Sequence, residues 1–415
     1  MTADSSSARS ARPPRSTLGL VLLTTIVMVC MAGSTLPSPF YPEWERLLHL
    51  GTAAVAMMFA VYALTLLLVF LTTGSLSDYV GRRPVLTIAL LLLAGALVLF
   101  ALAPSLPVLV LARVIQGVAV GLALTTTGAY IAEMQPTGSS SISALINAAS
   151  PTLGLAVGAL WAGVALDASR DASLITFGLS AVIAVGLAAA VWALPETSPR
   201  AHGAWRSLVP NVRVPHAARS TLLRTIPAIA AAWMTGGLFI SLGSTVVRDV
   251  FHESGHVLQS LTVAVLTAVG AVSVVVMSRV TARAAYLSGA VTLVVGTLAG
   301  LVAVSVGSLL AYLCAAAITG WGFGGAYAGA LRLIVPLVAP SAQAGLYAAI
   351  YLAAYLSFGA PAVVAGIVAP FLGLGATIIA YSGLVIVAAA VALVVRPRQG
   401  VRSVPAGAST MPAVE

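Results

Sequence analysis

Within GSLSDYVGRRPVL, Gly74 to Leu86, one carboxylate (Asp78) stands four and five residues ahead of two guanidiniums (Arg82, Arg83), with glycines at 74 and 81. A carboxylate so placed can cap a helix N-terminus or take a forked pair from arginine. That chemistry is a latch, not a catalyst. A second polar set, Arg113, Gln116, Gly117 and Gly121, repeats at three to four residues and so shares one helical face. No HExxH, phosphate loop or nucleophile elbow is present, and His49, His202, His216, His252 and His256 fall in loops or at the edges of apolar runs. Cys30 and Cys314 lie inside apolar runs in opposite halves of the chain, where they read as packing residues. The sequence therefore offers no metal ligands and no cofactor pattern.

The elements that must carry these groups are apolar. Of the 415 residues, 60% are hydrophobic and 7% charged, against roughly 25% charged in a soluble domain. A helix crosses a bilayer of roughly 30 Å in about 20 residues and satisfies its backbone internally. Twelve such runs begin near Thr17, Thr52, Pro84, Leu106, Ile142, Ser173, Leu223, Val257, Ala285, Ser308, Ala342 and Gly373. All basic residues are arginine, the mark of a compositionally biased genome. With both termini inside, Arg46, Arg170 and Arg248 fall outside and Arg113 within a span, leaving the other 16 of 20 on the cytoplasmic side. Topology and anionic lipid explain the net charge of +9, so nucleic acid is not a partner. The expected location is the cell inner (plasma) membrane.

The polar stretch Pro195 to Ser220 divides the spans six and six. The expected parts are a cytoplasmic tail (1–16), a first bundle (17–198), a linker (199–222), a second bundle (223–396) and a C-terminal tail (397–415). Gly33-Ser34-Thr35 recurs as Gly243-Ser244-Thr245, and Pro151 as Pro361, at one shared offset of 210, which favours duplication.

The loop Gly74 to Leu86, placed between spans two and three, resembles the cytoplasmic signature of the major facilitator superfamily, and the likeness extends over nearly the whole chain. The resemblance implies an all-α membrane protein of 12 transmembrane helices in two pseudo-symmetric six-helix bundles around a central cavity. It implies that Gly74, Asp78, Gly81, Arg82, Arg83 and Glu133 form a conformational latch, with Asp78 against the cytoplasmic end of span eleven and Arg82 near Glu133. In the second half only basic residues of the signature survive, near Val276 to Tyr286. Arg113, Gln116, Gly117 and Gly121 resemble the span-four motif of proton-coupled members. A bare charge there costs at least about 3 kcal/mol, so a role in coupling or a reach to the interface must account for it. No Asp, Glu or His sits at mid-span; Asp78, Glu43, Glu45 and Glu133 are the candidate proton carriers.

Ser150, Pro151, Gly154 and Gly158 resemble the span-five motif of antiporters, although Ser150 stands where the family has glycine and Gly154-Leu155 replaces a glycine pair. Proline and glycine together permit a bend. Cavity contacts are expected from Ser34, Thr126, Tyr130, Trp233, Thr235, Trp321, Tyr327 and Tyr351, the last within a stripe of Tyr347, Tyr351 and Tyr355. The glycine run Gly320 to Gly325 is expected to be a flexible element of span ten. These features predict export of an amphipathic or hydrophobic small molecule by alternating access, and the resemblance implies proton coupling and a monomer. Import or facilitation of a neutral metabolite, and a non-transporting sensor, are the alternatives.

Overall fold

The structure, a computed structural model, describes residues 14–134, 140–198, 212–339 and 343–395. Most of the two expected tails, much of the linker, and Arg9, Arg12, Arg200, Arg206, Arg396, Arg398 and Arg402 lie outside the described residues.

The first half runs α1 (Pro14–Thr35), α2 (Tyr41–Leu47), α3 (Thr52–Thr73), α4 (Leu76–Val80), α5 (Arg82–Ala101), α6 (Leu106–Glu133), α7 (Ser140–Ala168) and α8 (Ala172–Ala190). The second runs α9 (His216–Asp249), α10 (His256–Met277), α11 (Ala282–Ser305), α12 (Leu309–Ile334), α13 (Gln343–Leu372) and α14 (Leu374–Val394). Among the described residues, twelve helices are long and apolar enough to span a membrane. The two short ones, α2 and α4, sit at opposite ends of the bundles, α4 at the arginine-rich end and α2 at the far end.

In the first bundle α5 packs on α6 and α8, α3 on α6, and α1 on α7. In the second α12 packs on α10 and α11, and α9 on α13 and α14. The bundles meet along α7 with α10 and along α3 with α13. The internal repeat is visible in matched prolines: Pro151 lies within α7, the fifth span, and Pro361 within α13, the eleventh. One difference between the halves follows from a single residue. Pro37 has no N–H to continue α1, which stops at Thr35, whereas Val247, at the same offset, lets α9 run on to Asp249.

The small residues set the spacing. A Cβ at Gly154 would stand 2.5 Å from the Met28 carbonyl oxygen, and one at Gly158 would collide with that of Ala32, so α7 can lie on α1 only with glycine there. The run Gly320 to Gly325 acts in the same way, since Cβ atoms there would meet Leu266, Gly289, Gly270 and Ser273 of α10 and α11. Sequence reasoning expected a flexible element; the run is instead a packing seam inside the second bundle.

Candidate functional site

At the arginine-rich end, α4 is joined to α5 through Gly81, whose φ of 116° is a conformation that side chains rarely adopt. This turn sets Asp78 and Arg82 face to face as an ion pair. Arg82 is 3% exposed. Its guanidinium also donates to Glu133 Oε1 (2.5 Å) and Oε2 (3.2 Å) and to Ser77 Oγ (2.5 Å). As the sequence implies, Asp78, Arg82 and Glu133 converge. In this conformation the Asp78 carboxylate faces Arg82, with no bond to α13 among the described residues.

Sequence reasoning missed Glu196. Glycine at position 81 cannot cap α5, and the carboxylate of Glu196 supplies the cap from beyond α8, accepting from Arg82 N (2.8 Å) and Arg83 N (3.1 Å). Around it Thr197 Oγ1 donates to Glu133 (2.5 Å), Ser198 Oγ to the Asp78 carbonyl (2.8 Å), and Arg83 to the Leu194 carbonyl. Residues Pro195–Ser198 thus form a strap across the cluster. Tyr130, expected in the cavity, belongs here, its hydroxyl donating to the Pro195 carbonyl at 2.6 Å. The available signal was an acid directly after the last apolar residue of span six.

Arg113 is 1% exposed and has no carboxylate partner among the described residues. Its charge is spread instead over the Ser34 carbonyl (3.2 Å), Gln116 Oε1 (2.7 Å), the Tyr41 hydroxyl, and the rings of Tyr41, Tyr62 and Phe100 at 5.3 to 5.5 Å. Gln116 donates to the Gly33 carbonyl (2.7 Å). That carbonyl is the one Pro37 would have satisfied had it carried an N–H. Arg113 and Gln116 therefore finish α1 from α6, and the Ser34 hydroxyl is used internally, between the Tyr62 hydroxyl and the Cys30 carbonyl. Gly117 and Gly121 admit Thr65 and Val69 of α3, which brings α6 and α3 together. Ser150 donates to the Ile146 carbonyl (2.6 Å), just ahead of Pro151 in α7.

Three expected cavity residues do gather. Trp233 of α9 lies against Tyr327 of α12 (5.5 Å between ring centroids) and against Tyr355 (4.7 Å) and Phe358 (5.8 Å) of α13. Tyr351 stacks on Phe70 of α3 at 4.5 Å, and Phe358 meets Phe59 of α3 at 4.7 Å. The aromatic wall thus crosses from one bundle to the other. Within it the Trp233 indole N–H is buried and has no acceptor among the described residues. Thr126 is buried, its hydroxyl without a partner among the described residues. Thr235, two residues from Trp233, is turned into a crevice between helices of the second bundle, with Gly296 and Tyr312. Trp321 takes no part in the aromatic wall, and its carbonyl accepts from Ser273.

At the far end the bundles are joined by charge. Asp167 of α7 accepts from the His256 and Val257 N–H groups, each at 2.9 Å, and from the His256 ring at 2.8 Å. Glu45 of α2 pairs with Arg248 of α9 at 3.5 Å, and Ser38 donates to the Ile240 carbonyl at 2.6 Å. Among the described residues, the Glu45–Arg248 ion pair and the Asp167–His256 contact, which cross between bundles, are both at this end.

Two six-helix bundles with a polar cluster at one end, a charged seam at the other and an aromatic wall between define a polytopic membrane protein. The sequence profile of the Major Facilitator Superfamily matches residues 23–313, and the chain belongs to that superfamily of transporters. It is 29% identical over 198 residues to the multidrug transporter AQR1 of Candida glabrata, covering 46% of this chain and 32% of that protein. It is 29% identical over 115 residues to multidrug resistance protein 1 of Bacillus subtilis (28% and 30% covered). It is 52% identical over 63 residues to the D-xylose-proton symporter-like 2 of Arabidopsis thaliana (15% and 12%). These matches span a third or less of the relatives' lengths. A bacterial homolog to the human lysosomal transporter Spinster, in inward-facing and unoccupied conformation, has a similar structure, with a TM-score of 0.72 at 16% identity over 93% of this chain and 98% of that one. The human organic anion transporter MFSD10 gives 0.64 at 19% identity, over 92% and 100%.

Proposed function

We propose that this protein exports a neutral or amphipathic aromatic molecule by alternating access, driven by proton entry. The observation that carries the reading is the aromatic wall shared by both bundles, with a buried indole donor lacking an acceptor. Such a surface offers stacking faces and one directed hydrogen bond, and it has no charge for a sugar phosphate or divalent ion. The multidrug relatives support the direction, and the Arg113–Gln116 pattern supports the coupling.

In this reading the arginine-rich end, with both termini, is cytoplasmic, and the chain acts as a monomer in the plasma membrane. The conformation described closes the outer end. The aromatic wall takes substrate from inside, the outer seam parts, and Asp78 leaves Arg82 for the end of α13 as the inner ends close. A second reading, import of a small neutral metabolite, has the symporter-like segment in its favour.

The test is accumulation of a panel of lipophilic dyes in efflux-deficient bacteria expressing the parent or Asp78→Asn, with and without a protonophore. Lower accumulation with the parent alone, abolished by the protonophore, supports export. Unchanged accumulation across the panel refutes broad export and leaves directional uptake of neutral metabolites as the next measurement.

A further inference from the structure

We propose that Asp167 is the outer latch of the transport cycle, a helix cap shared between the two bundles. The inference rests on the alternating-access reading above. Helix α10 begins after Gly255, which has no side chain to cap it. Its first N–H groups would be left to solvent, at the positive end of the helix dipole. Asp167, the penultimate residue of α7, fills that place from the other bundle with both carboxylate oxygens, and one of them also meets the His256 ring.

The contact has a geometry suited to a release. It joins the last turn of α7 to the first turn of α10, and parting the bundles breaks all three bonds at once. It is 37% exposed on the aspartate side and 31% on the histidine side, so water can replace each bond as it opens. One turn below, Gly163 lets the helices close: a Cβ there would stand 2.8 Å from the His256 carbonyl oxygen and from Ser260 Cβ. Charge and small size at positions four apart on α7 thus serve the same closure by independent means. The Glu45–Arg248 pair is longer, at 3.5 Å, and serves as the weaker neighbour. The arrangement mirrors the opposite end of the molecule, where Glu196 caps the glycine-led α5, but that cap stays within one bundle and does not have to break.

The experiment is a distance measurement between spin labels at Arg170→Cys and Ser254→Cys, in a Cys314→Ser background, by double electron–electron resonance in lipid nanodiscs. The parent should show mainly the short, closed distance. Asp167→Ala should raise the ratio of long to short populations about tenfold, the scale of a lost charged cap. His256→Gln keeps both backbone donors and should shift it only about threefold. Gly163→Val should lengthen the distance with Asp167 intact. An unchanged distribution in monodisperse Asp167→Ala overturns the proposal; if that variant does not fold, Asp167→Asn, which keeps one acceptor, decides it in the same way. The readout needs no substrate, so a failed dye assay leaves it intact. A distance that never lengthens in any variant refutes alternation itself.

Discussion

Gln116→Leu tests whether the span-four pair is there to finish α1. Pro37 sits at φ −70° and ψ −20°, a helical conformation, and Leu36 N bonds the Ala32 carbonyl at 3.0 Å. The next bond in that ladder would run from residue 37 to Gly33, and proline cannot make it. Leucine at 116 removes the side chain that compensates, at 2.7 Å, and the acceptor of Arg113, also at 2.7 Å. A buried carbonyl left without a partner costs about 1–3 kcal/mol, and hydrogen bonds inside membrane bundles average about 0.6 kcal/mol in double-mutant cycles. We expect a loss of about 2 kcal/mol for the single variant. Pro37→Ala restores an N–H at the right place, so the cost of Gln116→Leu in that background should fall by about 1 kcal/mol. The assay is reversible unfolding in mixed micelles across the four proteins. An additive cycle, with the same cost in both backgrounds, refutes the reasoning.

Glu196→Ala should lower stability by about 1 kcal/mol through the lost cap of α5, read as an earlier unfolding midpoint, whereas Glu196→Gln should retain part of it. Trp233→Phe keeps the ring and removes the indole donor; it should raise the concentration of an acceptor-bearing dye needed for half-maximal efflux about fivefold, in line with one hydrogen bond, and leave an aromatic hydrocarbon dye unaffected. Gly324→Leu would drive its side chain into the Gly270 backbone, so the expected outcome is loss of folded protein in size-exclusion profiles rather than a folded but immobile carrier. Arg113→Lys keeps the charge but not the fork to Ser34, Gln116 and Tyr41, and should reduce efflux at least tenfold while inserting normally.

The spans, their number and the Asp78–Arg82 pair were legible because each depends on local order: apolar run length, the spacing of Asp78 and Arg82, a glycine at a turn. Beyond Glu133, which the resemblance set near Arg82, their long-range partners were not. Glu196 meets Arg82 across 114 residues and Asp167 meets His256 across 89, and no periodicity connects positions so far apart. Tyr41 was hidden differently, since the proline-rich segment before α2 reads as a rigid loop, while folded it delivers a hydroxyl to Arg113. Thr235 could have been placed: two residues from Trp233 on a helix is nearly the opposite face. The glycine run of span ten shows the limit of composition, because the same residues that permit bending also permit close packing, and only the neighbours, Leu266 and Gly270, decide between them.

The strap at Pro195–Ser198 changes where the two halves of this chain can be said to separate. By hydropathy the first half ends near Leu194, yet the residues after it are fastened back onto α4, α5 and α6 by Glu196, Thr197 and Ser198. Expressed as two fragments cut before Pro195, the first would lose the acid that starts its own third span, and the second would carry an orphaned carboxylate. Cut after Ser198, the first fragment keeps Glu196, Thr197 and Ser198 together with the groups they bond.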